Sequence, residues 1–185
     1  MTYVALLRGV NVGGNRKIEM PKLKATFEGL GFRGVRTYIN SGNVIFRSKA
    51  RSRKALTRKI EAAIEEEFGT PVGVVVRDLG ELKRLRDALP SGWVNDHRTR
   101  CDVMFLWPEV DLPGVVDELP HDPVIEDVRY VPGAVVWRID QKNVTRSRRT
   151  KLFGTDLYRC LTVRNVNTVQ KLTDLMEETA RSTGG

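Results

Sequence analysis

Apolar and polar positions along the chain alternate between two periods. Tyr3 to Leu7 is a short apolar run stopped by Arg8-Gly9, the pattern of a strand buried on both faces. After the glycine-rich segment Gly9 to Asn15, Leu23, Phe27 and Leu30 recur on one helical face. Pro21 suits the first helical position and Gly31 the C-terminal stop. Val35 to Ile39 and Val44 to Phe46 are β-rich stretches joined by Asn40-Ser41-Gly42-Asn43, residues that tolerate positive φ, and they predict a hairpin. Ser52 is placed to cap a second helix whose stripe is Leu56, Ile60, Ala63, Ile64 and Phe68 and whose stop is Gly69. Val72 to Val76 reads as a fourth strand.

That order, βαββαβ, is the split pattern of a ferredoxin-like unit. A linking helix is expected over Asp78 to Leu89, with Leu79, Leu82, Leu85 and Leu89 inward, and the polar segment 91–100 reads as an exposed connection. The order then repeats. Strand Asp102 to Trp107 precedes a helix near Asp111 to Leu119, and strands Val128 to Val131 and Ala134 to Ile139 flank the turn Pro132-Gly133. A helix near Leu152 to Tyr158, a strand around Leu161 to Arg164 and a last helix from Asn167 to Thr179 complete it. The expected fold class is α+β: duplicated ferredoxin-like units over 1–90 and 101–185, each a mainly antiparallel sheet covered by helices. The two units share a pattern and little residue identity.

At 185 residues and 41% apolar, the chain has material for one good core or two small ones. No run approaches the length of a membrane span, and the N-terminus carries no secretion signal, so the expected location is cytoplasmic. Cys101 and Cys160 belong to no C-x-x-C pattern, and His97 and His121 have no ligand companion at helical spacing. Neither a metal nor any other cofactor is implied.

Charge changes the picture more. Residues 1–59 hold fourteen Lys and Arg against Glu19 and Glu28 alone, a net of +12, and the rest of the chain nets −4. Such asymmetry points to nucleic acid or a small anionic ligand as partner.

If the first and third strands are adjacent and antiparallel, the loops Gly9 to Asn15 and Asn40 to Asn43 meet. They would gather Arg8, Asn11, Gly13, Gly14, Asn15, Arg16, Lys17, Asn40, Ser41 and Asn43, where glycines admit a ligand close to backbone N–H groups. The spacing is neither that of a phosphate loop nor that of a dinucleotide fingerprint, and a mobile loop beside a tight turn explains the same residues. A basic patch follows: Arg47, Lys49, Arg51, Arg53, Lys54, Arg58 and Lys59 lie within thirteen positions that contain no acid. Cations at a helix N-terminus oppose its dipole, so they do not serve their own helix. With one aromatic in Val44 to Arg47, the strand lacks the stacking residues of an RRM.

In the second half, Arg146, Arg148, Arg149 and Lys151 form another basic cluster, read either as a phosphate site or as an exposed loop. Arg164, Asn165 and Asn167 lead into the last helix, with Asn167 the expected N-cap and the helix start a candidate anion site. No nucleophile with its base stands out.

Tyr3 to Gly14 and Thr37 to Val44 resemble the N-terminal signatures of the bacterial family known as domain of unknown function 1697, and Arg164 to Lys171 is similar to its R-N-W-N-T-x-x-K stretch. Val166 stands where a Trp is usual, and Arg146 to Leu152 departs from a shorter serine- and lysine-containing segment. The resemblance implies a duplicated ferredoxin-like fold in a soluble bacterial protein and no particular reaction. Three functions stay open: an anion or nucleic-acid binder, an enzyme for a small phosphorylated or carboxylated substrate at the Gly/Asn loops, and a protein-interaction module, with oligomeric state undetermined.

Overall fold

The computed structural model describes residues 1–12 and 17–182. In the first part of the chain, β1 (Thr2–Leu7), α1 (Met20–Gly29), β2 (Arg33–Tyr38), β3 (Asn43–Arg47), α2 (Arg53–Phe68) and β4 (Val74–Asp78) follow in the expected order. The sheet runs β2-β3-β1-β4 with every pairing antiparallel, and β1 is central: Val4 faces Ile45 on one side and Arg77 on the other. Tyr3, Ala5 and Leu7 join Phe46, Val74 and Val76 in a core that takes in Leu23 and Phe27 of α1 and Leu56, Ile60 and Ile64 of α2. The alternate residues Val4, Leu6, Ile45 and Val75 are buried too, which accounts for the uninterrupted apolar run in β1.

Local chemistry fixes the ends. Pro21 opens α1, the Ser52 hydroxyl accepts from the Ala55 N–H to cap α2, and Gly69 closes α2 with φ of 66°. Gly42 is dictated by space as well as conformation: at φ of 69°, a β-carbon there would lie 2.5 Å from Val10 Cγ2 and 2.7 Å from Leu7 Cβ.

The chain continues through α3 (Leu79–Ala88) into β5 (Thr99–Leu106), a short α4 (Val115–Glu118), β6 (Glu126–Val131), β7 (Ala134–Asp140), a short α5 (Asp156–Arg159), β8 (Leu161–Asn165) and α6 (Val166–Arg181). The second sheet, β6-β7-β5-β8, has the strand order of the first and is again wholly antiparallel. Met104, Leu106, Val135, Trp137 and Leu161 form its core with Val115, Leu119 and Leu152. The architecture is α+β. Two compact units emerge, one of Met1–Gly80 together with the C-terminal stretch from Leu172, the other of Glu81–Lys171.

Two expected helices are broken. The stretch near Asp111 to Leu119 yields a 3₁₀ turn, Pro108–Val110, and the single turn of α4, because Pro113 lacks an N–H and disfavours helix at Leu112 before it. Residues near Leu152 to Tyr158 form the end of a 3₁₀ segment, Arg148–Leu152, then α5, with Gly154 at φ of 86° between them. The N-cap of α6 is also corrected. Asn165 supplies it, accepting from the Thr168 N–H at 2.8 Å, whereas Asn167 exchanges two hydrogen bonds with the Asn95 backbone, at 3.1 and 2.8 Å.

Candidate anion-binding surfaces

The Gly/Asn loops do meet. Leu7 N–H donates to Gly42 O at 2.8 Å, and Asn11, at φ of 56°, bridges the two loops. Its amide donates to Ile18 O (2.9 Å) and Asn40 O (2.8 Å), while its carbonyl accepts from the Ile18 N–H (2.9 Å). Asn43, fully buried, donates to Tyr38 O (3.0 Å) and Ser41 Oγ (2.9 Å). These amides hold the turn together, which is structural work. A hollow of about 460 Å³ remains between the loops, lined by Asn11, Lys17, Ile18, Glu19, Met20, Pro21 and Asn40, so a carboxylate shares it with the lysine. Arg8 is half-buried beside β1. Gly13, Gly14, Asn15 and Arg16 lie outside the described residues.

The basic stretch starts at the other end of β3. Asn43, paired with Leu6, marks the loop end of the strand, and Arg47, paired with Thr2, the opposite end. Five residues of strand separate them by roughly 13 Å at 3.3 Å per residue. The loops and the basic stretch are therefore two surfaces rather than one. Lys49, Arg51, Lys54 and Arg58 are exposed and make no ion pair among the described residues, while Arg53 reaches Asp78 at 3.5 Å. Lys59 donates to Leu30 O at 3.0 Å and lies 5.6 Å from the centre of the Phe32 ring.

Helix α2 carries its charges in the order its dipole disfavours. No acid occupies its first turn and no base its last. Its acidic end is engaged: Glu61 accepts from the Val74 N–H at 2.9 Å, and Glu67 pairs with Lys22 at 2.8 Å. Its basic end faces solvent.

The second-half cluster divides. Arg146, Arg148 and Lys151 are exposed, but Ser147 and Arg149 turn inward. Arg149 pairs with Asp102, which is 6% exposed and also accepts from Arg100 Nε at 2.9 Å, and its guanidinium lies 5.7 Å from the Trp137 ring centre. Ser147 donates to Glu126, 4% exposed, whose carboxylate also takes Trp137 Nε1–H at 3.2 Å and the Asp122 N–H at 2.6 Å. Ser147 and Arg149 thus tie the segment 141–152 to β5, β6 and β7. Arg164 is buried on β8, donating to Thr162 Oγ1 (3.0 Å) and Val163 O (2.8 Å), and burial pushes its guanidinium down to about 10. Arg164 is thus a lining of the fold and is not presented to a solution anion.

The carboxylates Asp102 and Glu126 were not among the expected site residues. Strand alternation carries the signal for both: Asp102 shares a face with Met104 and Leu106, and Glu126 with Val128 and Tyr130. A charge standing on the apolar face of a strand is the cue for a buried partner.

What fold and surfaces define together is an α+β protein of two antiparallel sheets, with no helix among the described residues long and apolar enough to cross a membrane. It belongs to a family described as protein of unknown function (DUF1697), whose model matches residues 1–137. That span holds both N-terminal surfaces and stops short of Arg146. The chain is similar to the solved structure of a conserved bacterial protein from Streptococcus pneumoniae, at 27% identity and a TM-score of 0.81, over 95% of this chain and 98% of the other. No curated protein matches it.

Proposed function

We propose that the protein is a cytoplasmic polyanion binder that grips nucleic acid by its phosphates, using the exposed cations at the start of α2. The observation that carries this reading is the charge order of α2. Cations at a helix N-terminus and acids at its C-terminus each cost the helix a few tenths of a kcal/mol or more, so the arrangement serves a field directed outward. Lys54 and Arg58, four residues apart, lie on the side of the helix away from Leu56, Ile60 and Ile64, and the exposed Arg51 stands just before the N-cap Ser52. No aromatic accompanies them, since Tyr3, Phe32 and Phe46 are buried, so phosphates rather than bases are the contact. The two sheets are read as a duplication of one ferredoxin-like unit, 1–90 and 101–185, with the first copy carrying the activity.

Fluorescence anisotropy of labelled single- and double-stranded oligonucleotides, titrated at rising KCl, tests this. Log affinity is expected to fall linearly with log salt and to show little dependence on sequence. No binding at 50 mM KCl, or binding that survives Arg51, Lys54 and Arg58 all changed to Ala, rejects it.

A further inference from the structure

We propose that a second hollow on the first unit, of about 600 Å³, binds an organic anion with an apolar body, such as an aryl or short-acyl carboxylate or phosphate. It opens where the end of α1, the start of β2, the end of β3 and the first turns of α2 converge. Its volume lies inside the ~300–1,000 Å³ range of small-molecule sites. Phe32, Leu56 and Ala50 contribute an apolar floor, and Arg33, Arg47, Lys49 and Lys59 all line it without a single acid.

The floor is rigid. Phe32 stacks on Phe46 with ring centres 4.6 Å apart, and Phe46 meets Phe27 edge-on at 5.4 Å. Lys59 is set in place by the carbonyl of Leu30 at 3.0 Å, which leaves its ammonium protons on the remaining sides for a ligand. Met1, just before β1, and Ser48 also line the hollow and are tied together: the Met1 amino group donates to Ser48 O at 3.0 Å, and Ser48 N–H returns a bond to Met1 O at 3.1 Å. An apolar floor under an all-cationic rim rewards a ligand that has both parts: inorganic phosphate lacks the body, and a neutral hydrocarbon lacks the charge. This site uses cations other than Arg51, Lys54 and Arg58 and stands apart from the polyanion reading.

The test uses the full chain and the aromatic sulfonate dye 1-anilinonaphthalene-8-sulfonate, with N-phenyl-1-naphthylamine as its uncharged counterpart. Saturable one-to-one enhancement of the sulfonate is expected, with the uncharged dye bound at least tenfold more weakly and octanoate or phenyl phosphate displacing the sulfonate. Ala55→Phe fills the hollow from an exposed helix position and should weaken the dye at least tenfold. Lys49→Met with Lys59→Met keeps the apolar stems, removes the charges and should weaken it several-fold. Changing Arg51, Lys54 and Arg58 to Ala should leave the dye untouched while oligonucleotide binding falls, so the two readings fail separately.

Equal affinity for the uncharged dye, or an Ala55→Phe variant that folds normally by circular dichroism yet binds as before, overturns the proposal. Sedimentation with phosphatidylglycerol vesicles separates sources of the anion. The protein is expected in the supernatant, and pelleting that Ala55→Phe abolishes would assign the hollow to a lipid headgroup and overturn the free-ligand assignment.

Discussion

Residues 47–59 and 146–151 are comparably rich in Arg and Lys, yet the fold treats them in opposite ways. The first group stays open: Lys49, Arg51, Lys54 and Arg58 meet no carboxylate among the described residues. The second is half closed, because Asp102 waits on β5 for Arg149 and Glu126 waits on β6 for Ser147. What lies beneath Arg149 and Ser147, and not beneath Lys49, Arg51, Lys54 and Arg58 among the described residues, is a strand carrying a buried acid. In the first unit Asp78, at the end of β4, meets Arg53 and further acids are engaged along α2, whereas in the second Asp102 and Glu126 lie buried under the cluster itself.

The sharpest way to break the comparison is Asp102→Ala, which strands Arg149 beside Trp137 without its counter-charge. Removing one partner of a buried pair costs about 3–5 kcal/mol, read as a lowered midpoint in urea denaturation. A loss below about 1 kcal/mol would place the second cluster on the same footing as the first.

Next comes Cys101, beside Asp102 on β5. Burial, followed by the neighbouring Asp102 charge, pushes its thiol from 9.0 up to about 12. The folded chain therefore keeps a proton that the unfolded chain loses, so this contribution to stability is whole below pH 9 and drains away as pH rises from there towards 12. At pH 8 a disulfide reagent should titrate Cys160, which is partly exposed, and leave Cys101 silent until denaturant is added. Prompt reaction of both would show the second unit to be looser than its buried carboxylates require.

Lys54→Glu reverses one charge at the start of α2 and should raise stability by about 0.3–1 kcal/mol at low salt while weakening oligonucleotide binding. A gain in one with a loss in the other is the signature of charge kept for a partner. Smallest of all, changing Arg51, Lys54 and Arg58 together to Ala should shift stability by no more than about 0.5 kcal/mol, yet lower the slope of log affinity against log salt by about 2–3.

The elements of Met1–Gly80 were almost wholly legible in sequence, since their signals are local. Leu56, Ile60 and Ile64 recur at helical spacing, Ser52 and Gly69 bracket them, and the hairpin turn falls within one residue of the expected Asn40 to Asn43, at 39–42 with Ile39 and Gly42 at positive φ and Asn43 already in β3. The second unit was legible in its strands and not in its connections. Its α4 and α5 are single turns set by Pro113 and Gly154, and its 3₁₀ segments are held by bonds that reach 21 and 47 residues along the chain. Periodicity cannot see such partners. The same limit hid the roles of Asn11 and Asn167, whose amides look like ligand or cap donors until the backbone groups of Ile18, Asn40 and Asn95 come beside them. Charge counting alone does not say how far the basic stretch lies from the Gly/Asn loops; the five-residue strand β3 puts them at its opposite ends.

The bond from Arg149 to Asp102 also has a place in time. A chain made from its N-terminus presents Asp102 with the half-exposed Arg100 beside it, but forty-seven residues before its more buried partner Arg149 exists. Until then β5 carries an acid on the face meant for the interior, and the pairing of β5 with β7 must go forward with that charge still wetted. Closure of the second unit is thus a late event, withheld until synthesis has passed Arg149, whereas the cluster that Tyr3, Phe27, Phe46, Ile60 and Val76 form in the first unit has all its residues as soon as Val76 is available.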